Sequence, residues 1–64
     1  MWREVEEIEL IGNLVKAGVR RHYKDAANFE TSVIIGILGG EAVSIPVKYW
    51  EEAKSQIDSL LESN

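Results

Sequence analysis

The feature that most constrains this chain is a β-branched run ending on two glycines. Thr31-Ser32-Val33-Ile34-Ile35-Gly36-Ile37-Leu38 leads into Gly39-Gly40, and Glu41-Ala42-Val43-Ser44-Ile45 follows. β-Branched residues suit strands, and tight hairpin turns need positive φ at one or both central positions, which glycine supplies. The segment predicts an antiparallel hairpin over 31–45 closed by a two-residue turn. That register pairs Leu38 with Glu41, Gly36 with Val43, and Ile34 with Ile45. One face then carries Ile34, Gly36, Val43 and Ile45. The other carries Val33, Ile35 and Ile37 against the small Ala42 and Ser44.

Both flanks of the hairpin read as helical. Val5, Ile8, Ile11, Gly12, Val15 and Val19 recur at three- and four-residue steps, with Leu10 and Leu14 widening the stripe. Glu4, Glu6, Glu7 and Glu9 gather where a helix dipole favours negative charge, and Gly18 offers a stop. The spacing predicts a helix over 2–17. Residues 19–24 alternate as a short edge strand would, or prolong that helix, and Asp25-Ala26-Ala27-Asn28 reads as a loop. Pro46 suits the first turn of a C-terminal helix. Val47, Trp50, Ala53, Ile57, Leu60 and Leu61 form its apolar face, opposite Lys48, Glu51, Glu52, Ser55, Asp58, Ser59 and Glu62.

The expected architecture is a single α+β domain over 1–64: an N-terminal helix, a two- or three-stranded antiparallel sheet, and a C-terminal helix. With 64 residues and no cysteine, neither disulfides nor a cysteine-based zinc site can staple it. Small unstapled domains gain stability from a partner subunit. Leaving Val33, Ile35 and Ile37 in water forgoes roughly 1.5–3 kcal/mol each. Either the two helices cover opposite faces of the sheet, or both lie on one face and these three residues form a homodimer interface; two short helices struggle to cover both faces, so the homodimer is the expectation. No run approaches the ~20 apolar residues of a membrane helix, and the acidic N-terminus is unlike a signal peptide. The expectation is a cytoplasmic domain with no membrane partner.

The charge is segregated along the chain. Residues 1–15 balance to −3, with Arg3 against Glu4, Glu6, Glu7 and Glu9; residues 16–24 reach +4 through Lys16, Arg20, Arg21 and Lys24. Arg20, Arg21, His22, Tyr23 and Lys24 form the candidate anion or nucleic-acid contact, because an aromatic among cations can stack a base while its neighbours hold phosphate. A pI near 4.8 argues against general coating of nucleic acid.

Catalytic constellations are sparse. His22 is the single histidine, so one chain cannot build a multi-histidine metal site. The serines and Thr31 lie in no nucleophile motif, and Ile34–Glu41 lacks the Lys-Ser/Thr ending of a phosphate loop. No catalytic residue, cofactor or metal is expected.

Two partial resemblances concern single segments. Val43-Ser44-Ile45-Pro46 followed by Trp50-Glu51-Glu52-Ala53-Lys54 resembles the strand-to-helix start of ribbon-helix-helix repressors, over about a third of the chain. With a strand at 19–24, the order helix-strand-strand-strand-helix would be similar to double-stranded-RNA-binding domains and small toxin ribonucleases. Phe29-Glu30-Thr31-Ser32 departs from the strand histidine that the ribonucleases carry after a glycine. The expected function is that of a non-enzymatic interaction or accessory protein acting as a homo-oligomer, with another protein as a further partner. The alternative is a nucleic-acid-binding regulator using 20–24.

Overall fold

The computed structural model describes residues 2–63. Four antiparallel strands run in sequence order across one sheet: β1 (Arg3–Ile11), β2 (Val15–Tyr23), β3 (Phe29–Ile37) and β4 (Ala42–Pro46). A single helix, α1 (Val47–Glu62), follows.

The N-terminal helix expected over 2–17 does not form, and β1, a turn and the start of β2 occupy its place. Gly12 and Asn13 both take positive φ, 60° and 57°. This is the pair of left-handed conformations that a type I′ turn needs, and Leu14 N–H closes the turn on the Ile11 carbonyl at 3.1 Å. The apolar residues that suggested a helical stripe divide instead between the two faces of a ribbon: Val5 and Ile11 on one, Ile8 and Leu10 on the other. The resulting strand-first order also removes the likeness to the helix-first RNA-binding and ribonuclease topologies. Residues 19–24 belong mainly to β2, which is a central strand and not an edge.

The third turn corrects the expected register. Gly40 N–H donates to the Ile37 carbonyl at 2.8 Å, and Gly39 sits at φ 87°. The turn therefore centres on Leu38-Gly39, with glycine at the position that requires positive φ. Gly36 pairs with Ala42, Ile35 with Val43, Ile34 with Ser44, and Val33 with Ile45. A slip of one residue exchanges every β4 side chain between faces. Val43 and Ile45 thus join Val33, Ile35 and Ile37 rather than opposing them.

The two glycines within strands allow close backbone approach. A Cβ on Gly18 would collide with the Glu7 carbonyl oxygen and come within 2.6 Å of Ile8 Cα. A Cβ on Gly36 would lie 2.7 Å from Ala42 Cα. The loop between β2 and β3 is held by Asp25, whose Oδ1 accepts from the Ala27 and Asn28 backbone N–H groups at 2.9 and 3.0 Å.

Ile34 is the one buried hydrophobic residue among those described, at 3% exposure. Its neighbours on the same face are Gly18 and Ser44 across the ladders and Ser32 and Gly36 along β3. None is large enough to cover it. The cover is α1, which makes its main contacts with β3 and β4 and half-buries Trp50 and Ala53. Beyond these turns Ile57 is 51% exposed and Leu61 67% exposed.

Candidate functional site

Strand alternation and the observed register sort the side chains onto two unlike faces. One is mixed: Glu4, Glu6, Ile8, Leu10, Lys16, Gly18, Arg20, His22, Glu30, Ser32, Ile34, Gly36, Ala42 and Ser44. The other is predominantly apolar. Its centre is Val19, Val33 and Ile45 in one row and Ala17, Ile35 and Val43 in the next, with Val15 beside Ile37. Along β1 the same face carries Val5 and Ile11 with Glu7 and Glu9 between them, opposite Val19 and Ala17, and Tyr23 pairs with Phe29 at its far end.

No described residue covers this apolar face. The helix lies over Ile34 on the opposite side, and no apolar-face residue is buried. Ile37 is 53% exposed and Val43 55%. The expected interface residues Val33, Ile35 and Ile37 all lie here. Val5, Val15, Val19, Val43 and Ile45 belong with them and escaped the sequence reading. Gly12-Asn13 was the available signal: two residues able to take positive φ, set between two runs containing β-branched residues.

The basic segment is divided by the same alternation. Arg20 and His22 project onto the mixed face, while Arg21 and Tyr23 project onto the apolar one. Arg20 Nε donates to Glu6 Oε1 at 2.9 Å, and Arg21 Nη1 lies 3.9 Å from Glu7 Oε1. His22 Nδ1 is 3.1 Å from Glu4 Oε1, and the Trp2 ring leans on its imidazole with centroids 4.4 Å apart. The acidic and basic blocks of the sequence are thus the two strands of one hairpin, each supplying the other's counter-charges. Lys24 stands at the end of β2, where its N–H donates to the Asn28 carbonyl at 2.9 Å.

At the Tyr23–Phe29 end of the apolar face the two rings stack with centroids 4.9 Å apart, and the Arg3 guanidinium carbon stands 5.3 Å from the Tyr23 ring centre. Arg3 brings one positive charge to this corner, while Arg21 on the same face is met by Glu7. The Asp25 carboxyl departs from its ordinary value. The Asn28 side-chain amide, donating at 3.0 and 2.9 Å, and the Ala27 N–H hold its carboxyl below the usual aspartate value.

The surface depressions beside α1 and around Trp2, about 400 and 330 Å³, are open to solvent. No group of three or more His, Asp or Glu side chains is placed to hold a metal ion among the described residues. No helix among them is long and apolar enough to cross a membrane. Comparison with protein-family models, with curated proteins and with solved structures finds no match for the chain.

Proposed function

We propose that this chain is a non-enzymatic association module, working as a homo-oligomer in which a second copy occupies the apolar sheet face. The observation that carries this reading is an excess of surface. The chain exposes 5282 Å², whereas a compact monomer of 7.2 kDa exposes about 4,100 Å². Each chain therefore shows roughly 1,200 Å² more than its mass warrants, and the apolar face is where much of that surface is hydrophobic. Two copies burying this excess would form an interface of about 2,400 Å², within the range of permanent dimers.

A nucleic-acid contact through residues 20–24 would have to draw on side chains of opposite faces, three of which already meet β1 glutamates. The geometry favours association. Light scattering across a concentration series tests the reading. A mass near 14 kDa, twice that of the chain, persisting to low micromolar concentration supports it; a 7.2 kDa species throughout overturns it.

A further inference from the structure

The apolar face is not uniform from strand to strand. Across the sheet, one row runs Glu7, Val19, Val33, Ile45, and the next runs Glu9, Ala17, Ile35, Val43. Every member from β2 to β4 is apolar, and both members from β1 are carboxylates. Glu7 keeps 74% of its side chain in solvent while its carboxylate meets Arg21 at 3.9 Å, and Glu9 is exposed. The part of the face that a second copy can dry is therefore β2 to β4. Strand β1 forms an acidic margin along one side of it.

Building on the association reading, we infer that the second copy packs sheet on sheet about a two-fold axis that runs parallel to the strands over β3, leaving the two β1 strands overhanging on opposite sides. Packed sheets keep their strands nearly aligned, about 10 Å apart. A two-fold lying between them can then run along the strands or across them. Running across, it sets β1 over the partner's β1. Glu7 and Glu9 then face the partner's Glu9 and Glu7, four carboxylates along one rim, and like charges so placed oppose association. Running along the strands over β3, it sets β2 over the partner's β4 and β3 over the partner's β3. Val19 then faces the partner's Ile45, Ala17 faces the partner's Val43, and Val33 and Ile35 each face their own counterparts. Within these two rows the contact is wholly apolar, and Glu7 and Glu9 stay in water. Val5 and Ile11 remain outside with them, towards the two ends of β1. The helix does not obstruct the arrangement, because it covers Ile34 on the opposite face. The interface is isologous and closes at two copies.

The absence of cysteine makes the test direct. Glu9→Cys carries a nitroxide at an exposed site, and double electron–electron resonance reads the distance between the two labels of a dimer. With the axis over β3, each β1 stands two strand spacings from it, so the labels should lie roughly 20 Å apart or somewhat more. With the axis across the strands, β1 stacks on the partner's β1 and the separation falls to about 10 Å, which broadens the continuous-wave spectrum. That shorter distance would overturn the orientation and leave the association reading intact. Chains that stay monomeric by light scattering would remove both. Glu9→Gln supplies a second readout without a label. In the proposed dimer this carboxylate is far from its counterpart and screened within about 8 Å at physiological salt, so the dissociation constant should change by less than about twofold. A tightening of about tenfold in a folded variant would show the carboxylates facing one another and would count against the inference.

Discussion

Gly18 stands directly across the β2–β3 ladder from Ile34, and on its other side it pairs with Ile8. The central strand thus gives up its side chain beside the one buried residue, and β1 approaches closer than any Cβ would permit. Gly18→Ala forces the Glu7 carbonyl and Ile8 Cα to move. Overpacking of this kind costs about 1–3 kcal/mol. Gly40→Ala meets only ordinary contact, with Ile37 O at 3.5 Å, and should fall well below that. Urea midpoints of the two variants check the difference; equal midpoints would contradict the close approach.

The Glu6–Arg20 pair predicts a salt-sensitive hairpin. Exposed pairs of this kind contribute about 0.2–1 kcal/mol each. Glu6→Lys alone sets like charges opposite each other and should lower stability by a similar amount. Adding Arg20→Glu should restore it. Both effects should shrink in 1 M salt, where screening reaches roughly 3 Å. Denaturation of the single and double variants at two salt concentrations measures this.

Asp25 offers a test by pH. Its carboxyl sits below the ordinary value, chiefly through the Asn28 side-chain amide. A depressed value in the folded state means that the ionised carboxylate contributes stability above the unfolded pKa of about 3.9. That contribution is lost as pH falls through the lower folded pKa. Asn28→Ala removes the leading cause and should move the Asp25 titration upward in a carbon-detected NMR experiment. A titration unmoved by the variant would mean that the backbone N–H of Ala27 suffices.

The two sheet faces should respond differently to charge. Val43→Glu places a carboxylate on the apolar face at an exposed position and should abolish association while the circular dichroism stays native. Leu10→Glu, equally exposed but on the mixed face, should leave the dimer intact. Sedimentation velocity of both variants decides between them, and a dimer that survives Val43→Glu would show that the interface lies elsewhere.

These predictions rest on parts of the chain that differ in how far the sequence reveals them. The stripe from Val47 to Leu61 has one period and one reading, because the side opposite it is polar throughout. Alternation alone places Val33, Ile35 and Ile37 on one face. Residues 2–17 carry two periods at once: Val5, Ile8 and Ile11 fit a helix, yet Glu4 and Glu6 alternate with Val5 as in a strand. What decides between them is non-local. Glu6 has its cation fourteen residues away, at Arg20, and Gly12-Asn13 turns the chain so that the two meet. The register of the β3–β4 hairpin was hidden for a different reason. Two adjacent glycines point to a two-residue turn, whereas only Gly39 needs the left-handed region and the loop takes Leu38 and Glu41 as well.

Every strand after β1 pairs with the one made immediately before it, and no strand must wait for a distant partner. Chains with such short loops to close fold quickly for their size, because little entropy is lost before contacts form. During synthesis the β1–β2 hairpin can form while β4 is still unmade. The helix is made after β3 and β4, so Ile34 gains its cover only once the strands on which that helix docks are in place.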